Sequence, residues 1–170
     1  MTPNTYTDTH QLRGVFLANL LGRLIDIINE QGMQMLLDAG IDFPSRSVSI
    51  VLMIGEKGKI SAADIAIALN QPHQLVTQRI ELLLGMKIIK RVSDPKDGRR
   101  KILMLTAKGT RQFKQLQTRL ALADIAFETL FKDIDCDLIS ATEQAMAALT
   151  GNTLLQRVKA VDLQNIKQPK

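Results

Sequence analysis

The sequence contains few of the residues on which several kinds of protein chemistry depend. Among its 170 residues there are one cysteine, Cys136, and no tryptophan, and aromatic residues make up only 4%. A single cysteine excludes an intrachain disulfide, and together with the widely separated His10 and His73 it forms no recognisable zinc pattern, so we expect no structural metal. Because stacking platforms for exposed bases are scarce, a nucleic-acid partner would be duplex DNA rather than a single strand.

Missing membrane, secretory and catalytic motifs further narrow the kinds of protein that this sequence could encode. No apolar run approaches the roughly 20 residues of a membrane helix, and no secretory signal is visible, so we expect no membrane partner and a cytoplasmic location. A phosphate-cradling glycine loop, an HExxH motif and a serine motif with a convincing base are missing, which argues against an enzyme and a cofactor. No long Gly, Ser or Pro spacer divides the chain, and 45% hydrophobic residues supply a real core for one compact unit.

The chain has a formal net charge of +5, which suits a polyanionic partner without identifying one. The distribution of charge is more informative, because most of the excess falls within one short segment opposed only by Asp94 and Asp97. The basic residues of this segment are Lys87, Lys90, Arg91, Lys96, Arg99, Arg100 and Lys101. We therefore expect a local positive surface.

Apolar residues recur at helical spacing near both ends of the chain. They predict a long helix over Gln11 to Asn29, apolar around much of its circumference, and further amphipathic helices after residue 106. Such a helix needs partners on more than one side, which a second copy would supply, although packing within one subunit is the alternative. The predicted homodimer contacts are Leu17, Leu20, Leu21, Leu24, Leu138, Met146 and Leu149.

The central part of the chain contains residues that typically start and end short helices joined by a tight turn. Ser45 or Ser47 could cap one helix, and the segment from Ser61 to Asp64 has the form of a capping box that starts another, which ends near Ala68. These signals predict the first helices of a helix-turn-helix.

A further helix follows the turn. Asn70 tolerates the left-handed conformation that such a turn requires, and Pro72 suits a first helical position. Val76, Ile80 and Leu83 then share one face of the helix, which leaves the opposite face polar.

We predict that the polar face of this helix contacts DNA. The residues concerned are His73, Gln74, Thr77 and Gln78. A glutamine amide can pair with adenine in the major groove, and the Thr77 hydroxyl could equally bind phosphate. The alternative is an ordinary solvated helical face.

Ile88 to Val92 and Lys101 to Leu105 are the best strand candidates. Between them, Asp94 and Pro95 fit the first two positions of a type I turn and Gly98 can return the chain, which predicts a hairpin. An element order of short helix, turn, helix and hairpin is typical of a winged helix-turn-helix.

The tip of the hairpin carries the second group of predicted DNA contacts. Arg99 is the expected minor-groove probe, and Asp97 would fix its geometry through an ion pair. Lys96, Arg100 and Lys101 would meet phosphates. The alternative is a charged, solvated turn that keeps the hairpin soluble.

The predicted fold class is mainly α with a small β-wing. A winged helix-turn-helix region over residues 45–105 would lie between an N-terminal dimerisation region, 10–44, and C-terminal dimerisation helices, 106–170. Within the last region, Thr106 can cap a long helix, Asp135 or Asp137 can start another, and Gly151-Asn152 interrupts the pattern.

Several motifs resemble the MarR family of bacterial transcriptional regulators. The segment from Asp94 to Arg99 is similar to the family's wing signature, Leu105 to Gly109 to its leucine-threonine-x-x-glycine run, and Asp64-Ile65-Ala66 to the start of its first DNA-domain helix. The resemblance extends from about Gln11 to Leu155. It implies a dimer that usually represses genes from a pseudo-palindromic operator and is often released by a small aromatic or phenolic ligand, or by oxidation.

Some positions depart from the family pattern. Lys87 stands where a glycine usually ends the recognition helix, with Gly85 two positions earlier, so the helix end is either shifted or held by a strained residue. Gln78 stands where arginine is common, which predicts a different base preference, because an amide favours adenine and arginine favours guanine.

Two further questions stay open at the level of sequence. To act as a redox sensor, Cys136 would need a low thiol pKa or a partner in a second subunit, and its more ordinary role is that of a small residue at a helix start. A rival function is a winged-helix module that binds a protein through the same polar helix without binding DNA. The residues of a small-molecule effector site cannot be chosen.

Overall fold

The computed structural model describes residues 5–94 and 101–166, with side chains described as far as residue 161. The described residues form helices α1 (Tyr6–Thr9), α2 (Leu17–Asp38), α3 (Val48–Lys57), α4 (Ala62–Ala68), α5 (His73–Gly85), α6 (Ala107–Asp133), α7 (Leu138–Gly151) and α8 (Leu154–Ile166), with strands β1 (Ile89–Ser93) and β2 (Lys101–Leu105). Short 3-10 helices at Arg13–Phe16 and Ser45–Ser47 precede α2 and α3. The predicted fold class is confirmed: the protein is mainly helical, with a small hairpin after the helix-turn-helix.

The chain divides into two compact units, Met1–Leu120 and Ala121–Lys170. The boundary falls inside α6, so the predicted limits at residues 44, 45, 105 and 106 stay predictions. Each unit is described by itself below.

The core of the first unit lies between α3, α4, α5 and the hairpin. Ile50 and Ile54 of α3 are fully buried, as is Ile65 of α4. The inward face of α5 is the predicted one, since its Val76, Ile80 and Leu83 side chains are also buried. Burial of these aliphatic side chains fixes the orientation of α5 and leaves its other face outward.

The hairpin is antiparallel and is tied to the helical core. Ile89 pairs with Leu105 and Ser93 with Lys101. An isolated bridge joins Ile60 to Leu103, where the Leu103 amide donates to the Ile60 carbonyl at 2.8 Å. Because Ile60 immediately precedes the Ser61 cap of α4, this bridge fixes the hairpin relative to the helix-turn-helix.

Element boundaries differ from the predictions in the N-terminal region. The long helix predicted over Gln11 to Asn29 begins only at Leu17 and continues to Asp38. A 3-10 turn replaces its expected start, and the apolar residues Met35 and Leu36 extend its pattern into the core.

Smaller corrections concern the caps and one strand. Pro72 is the residue before α5 rather than its first helical residue, and β1 begins one position later than predicted. The Ser47 side chain does not cap α3 and is buried, while the Ser45 hydroxyl donates to the Asn29 carbonyl at 3.3 Å. Ser45 therefore links the segment before α3 to α2, and neither serine side chain caps α3.

The second unit contains the end of α6 together with α7 and α8. Asp137 caps α7 by accepting from the Ile139 and Ser140 amides at 3.0 and 3.1 Å. The Ser140 hydroxyl and these amides lower the pKa of the Asp137 carboxyl from its usual value. Across the break between α7 and α8, Arg157 donates to the Ala148 carbonyl at 2.9 Å. None of the helices described is long and apolar enough to cross a membrane.

Candidate nucleic-acid interface

The first helix of the helix-turn-helix, α4, begins with a reciprocal cap. The Asp64 amide donates to the Ser61 hydroxyl at 3.2 Å, and the Ser61 amide donates to the Asp64 carboxylate at 3.4 Å. The Ser61 hydroxyl also donates to this carboxylate, at 2.7 Å. The cap satisfies donors that the helix itself leaves unpaired and so sets where α4 starts.

The turn between α4 and α5 is held by α5, the second helix of the helix-turn-helix and hereafter called the recognition helix after its place in that motif. Asn70 adopts a positive φ of 47°, the conformation predicted for it. The Arg79 guanidinium of α5 donates to the Gln71 side-chain oxygen at 2.9 Å. This bond between a turn residue and a residue two helical turns later stiffens the recognition helix, and the sequence offered no signal for it.

The four residues predicted to read DNA lie on one side of α5. His73, Gln74 and Gln78 are exposed, whereas Thr77 is half-buried. The Thr77 hydroxyl and His73 Nδ1 lie 3.4 Å apart, so either atom could be the donor. Gln74 and Gln78 are therefore the two residues of this set with the freest polar groups.

Glu81, also on the outer side of α5, forms an ion pair with Arg91 of β1. Both side chains are exposed, so the pair contributes little to stability. It has a clear electrostatic consequence, because the carboxylate offsets one charge of the basic segment. Arg91 is consequently a less available cation than its place in the sequence suggests.

The end of the recognition helix is held by the segment that opens α6. α5 ends at Gly85 with Met86 as its C-cap, and Lys87 then adopts a positive φ of 57°, so the strained residue, and not Gly85, makes the left-handed turn after the helix. The Thr106 hydroxyl donates to the Lys87 carbonyl at 2.7 Å and accepts from the Gly109 amide at 3.0 Å. A Cβ at Gly109 would overlap the Ile88 carbonyl oxygen. The leucine-threonine-x-x-glycine run therefore holds the end of α5 in place. These contacts of Thr106 and Gly109 with Lys87 and Ile88 are called the clasp below.

Lys108 completes this clasp and links it to the loop after α2. Its ammonium donates to the Asp42 carboxylate at 2.7 Å and to the Met86 carbonyl at 3.2 Å. The Gln112 amide, which is buried, also donates to Asp42, at 2.9 Å. The Lys108 ammonium holds the pKa of the Asp42 carboxyl below its usual value. Neither Asp42 nor Lys108 was predicted, because their contact joins positions 66 residues apart.

Most of the residues predicted for the tip of the wing fall in the part of the chain between the described residues 94 and 101. Lys96, Asp97, Arg99 and Arg100 lie outside the described residues. Lys101, at the start of β2, is exposed and donates to the Ser93 hydroxyl across the hairpin at 3.0 Å. The predicted role of these five residues stays a prediction, with only Lys101 located on the hairpin beside α5.

A hollow of about 510 Å³ lies against the inner flank of α5 within the first unit. Arg79 and Gln71 form one side, Ile25 and Asn29 of α2 another, and Arg46 and Ser49 a third. In the described part of the chain, no group of three or more His, Cys, Asp or Glu side chains could hold a metal ion. Cys136 is a half-buried free thiol between α6 and α7.

The residues predicted for dimerisation are mostly exposed. In α2, Leu17, Leu20, Leu21 and Leu24 each leave a third or more of their surface open. In the second unit Met146 and Leu149 are exposed, and Leu138 is half-buried. The segment before α2 folds onto it through an ion pair between Asp8 and Arg23, which lowers the pKa of the Asp8 carboxyl and raises that of Arg23.

The chain is similar to known proteins in sequence and in fold. Residues 41–100 match the sequence model of the MarR family, whereas no curated protein sequence matches the chain. A variant of MarR from E. coli, solved in complex with operator DNA, is 19% identical, with a TM-score of 0.55 over 79% of this chain and 96% of the other.

Two further solved structures share this fold. The adhesin competence repressor from Streptococcus pyogenes is 16% identical, with a TM-score of 0.56 over 83% of this chain and 94% of its own. A variant of ZitR from Lactococcus lactis is 21% identical, with a TM-score of 0.52 over 75% and 95%. Residues 41–100 are therefore similar in sequence to the MarR family, and the chain shares the winged-helix fold of these solved structures.

Proposed function

We propose that the protein is a transcriptional regulator that binds a pseudo-palindromic operator as a homodimer in the cytoplasm, most simply as a repressor, and that a small ligand releases it. The observation that carries the proposal is the outward face of α5, where Gln74 and Gln78 present exposed amides on a helix anchored at both ends. Amides on a rigid helix can read base edges in a major groove. The E. coli relative was solved with operator DNA, which agrees with this role.

The deciding experiment is a gel shift with fragments selected from genomic duplex DNA, at physiological salt and with excess unrelated duplex. A retained shift supports sequence-specific binding. The Gln78→Ala variant should lose affinity for the selected site and keep its affinity for unrelated duplex, because Gln78 would contact bases rather than phosphates. A protein that shifts no duplex and instead binds a protein partner independently of salt would favour the rival interaction module.

Arg99→Ala tests the wing separately. As a groove-inserted cation, Arg99 should contribute to affinity on every sequence, and its loss should reduce the slope of log K against log salt by about 0.9 for each lost phosphate-type contact. Lys57→Ala is a control of the same charge change on an exposed residue at the end of α3. Equal behaviour of the two variants would remove Arg99 from the interface.

The homodimer is supported by the exposed leucines of α2. A helix with four exposed leucines on its surface is costly in a monomer, since contiguous apolar patches usually mark an interface. Two recognition helices related by a twofold axis would then meet half-sites about 34 Å apart. Light scattering on the purified protein should give twice the chain mass, and a Leu20→Asp, Leu24→Asp variant should give the mass of one chain.

Ligand control is supported by the hollow beside α5. Its guanidinium groups, Arg46 and Arg79, suit a carboxylate or phenolate, and Ile25 and Val48 offer apolar contacts. A ligand that draws Arg79 away from Gln71 would release the turn that positions α5. Calorimetric titration with a panel of aromatic carboxylates should find a ligand that weakens operator binding, and Arg79→Met should abolish its effect. Operator affinity unaffected by every ligand bound would contradict this part of the proposal.

A further inference from the structure

The recognition helix presents two apolar side chains among its polar ones, Leu75 near its start and Leu82 near its end. Leu75, in the first turn of α5, leaves 37% of its surface exposed. It lies outside the hydrophobic core cluster and outside the side chains packed against that cluster. The buried residues of α5 are Val76, Ile80 and Leu83 instead.

The neighbours of Leu75 on the helix surface are the two exposed glutamines. Gln78 follows Leu75 by three positions and Gln74 by four, so the Gln78 side chain lies between the other two around the helix. The three residues form a continuous patch, hereafter the Gln-Leu-Gln patch, with two amides and one isobutyl group.

The chemistry of the patch matches one kind of base pair. In the major groove adenine offers an acceptor at N7 and a donor at N6, which a glutamine amide pairs with in two bonds, and its partner thymine offers the C5 methyl group. A G·C pair offers no methyl group and has a different order of donors and acceptors. Amides beside an exposed leucine therefore complement A·T pairs on both strands.

We infer that Leu75 is a specificity-determining residue that packs against a thymine methyl group, so that the Gln-Leu-Gln patch selects A·T base pairs in each operator half-site. The inference rests on the proposed DNA-binding function and names the sequence class that this function would read. It concerns the first turn of α5 because the N-terminal residues of a recognition helix meet base edges.

The chain contains a matched control. Leu82 lies on the same side of α5 and is 45% exposed, but it follows Leu75 by seven residues, or about 10 Å along the helix axis. Leu82→Ala removes the same number of atoms as Leu75→Ala from a similarly exposed site. Both changes place a better helix former on the surface, so both variants should fold.

The test uses an operator selected by the protein from random duplexes, with each thymine of a half-site replaced in turn by deoxyuridine. This replacement removes the methyl group alone. For one thymine in the first-turn region, the wild type should bind the uracil duplex about fourfold more weakly, as expected for one methyl group taken out of apolar contact. Leu75→Ala should bind the thymine duplex with a similar loss and should not distinguish thymine from uracil. Leu82→Ala should retain the wild-type discrimination.

The possible outcomes distinguish a failure of the role of Leu75 from a failure of the proposed DNA binding. Failure of the wild type to select any duplex would overturn both. Selection of G·C-rich half-sites, or a Leu75→Ala variant that still distinguishes thymine from uracil fourfold, would overturn the role of Leu75 and leave DNA binding standing.

Discussion

The Thr106 hydroxyl donates a hydrogen bond of 2.7 Å to the Lys87 carbonyl, and Lys87 is held at a positive φ of 57°. Thr106, the residue immediately before α6, thus stabilises an unfavourable backbone conformation just after the recognition helix. The same threonine accepts from the Gly109 amide, which makes the clasp part of the α6 cap. A strained residue in the left-handed region costs about 1 kcal/mol or more, which the clasp offsets.

Replacing Lys87 with glycine should stabilise the protein. Glycine adopts a positive φ without the Cβ penalty, and its larger entropy in the unfolded chain removes only part of the gain. We expect the free energy of unfolding to rise by about 0.5 to 1 kcal/mol. Urea denaturation at a fixed protein concentration measures this change, and a decrease would show that Lys87 contributes more through its charge at the helix end than it costs in strain.

Replacing Gly85 with alanine should also stabilise the protein. Gly85 is the last helical residue of α5, and nothing lies within 4 Å of where its Cβ would be. Alanine there should add about 0.5 to 1 kcal/mol to the free energy of unfolding. Gly58→Ala is the matched control, because its site is equally open but has a φ of +72°. That substitution should destabilise, and equal effects of the two would contradict a backbone origin.

The contrast between Lys87 and Gly85 shows what could be predicted from sequence. The polar face of α5, the Ser61 cap and the β2 strand follow from local signals, namely periodicity, capping residues and β-branched or apolar runs. The strain at Lys87 could be stated only as one of two alternatives, because a helix end depends on the contacts that hold it. Here the deciding contact comes from Thr106, far along the chain.

The remaining parts of the candidate interface were missed for the same physical reason. The bond from Arg79 to Gln71 and the pair of Lys108 with Asp42 are tertiary contacts between polar residues, and polar residues carry no periodic signal. The Arg91 side chain was counted as a free cation because its Glu81 partner lies on a different element. Sequence reasoning therefore identified the faces of the helices better than the polar network that holds them in place.

Gly109→Ala should destabilise the protein strongly. Its Cβ would overlap the Ile88 carbonyl oxygen, which is backbone and which also accepts from the Thr106 amide at 3.0 Å. Relief requires α6 to move away from the end of the recognition helix, at a cost of about 1 to 3 kcal/mol or more. Thermal unfolding should show a clear fall in midpoint, whereas an unchanged midpoint would mean that the clasp is not rigid.

The contribution of Asp42 should depend on pH. Its carboxyl has a pKa lowered from the usual 3.8, chiefly by the Lys108 ammonium. A lowered pKa in the folded state stabilises at pH above the unfolded value, and the contribution disappears as pH falls through the folded value. Asp42→Asn should therefore reduce the free energy of unfolding near pH 6 by about 1 kcal/mol or less, since both side chains are partly exposed.

Comparing the wild type with the Asp42→Asn variant at low pH isolates the contribution of the Asp42–Lys108 pair. Asp8 and Asp137 also have lowered pKa values, so the wild type and the variant both lose stability in acid. Only the difference in the free energy of unfolding between the wild type and the variant reports the contribution of Asp42. This difference should vanish well below pH 4. A difference that stays constant between pH 6 and acid would assign the effect to the shape of the side chain and not to its charge.

Glu81→Gln should strengthen binding to duplexes of any sequence. The change removes a negative charge from the outer side of α5 and releases Arg91, which can then meet a phosphate. Fluorescence titration over a salt series should show a slope of log K against log salt steeper by up to about 0.9, with a larger gain for unrelated duplex than for the selected site. Glu56→Gln, an equal charge change at an exposed position near the end of α3, should leave the slope unchanged. Identical slopes for both variants and the wild type would place Glu81 and Arg91 away from the DNA.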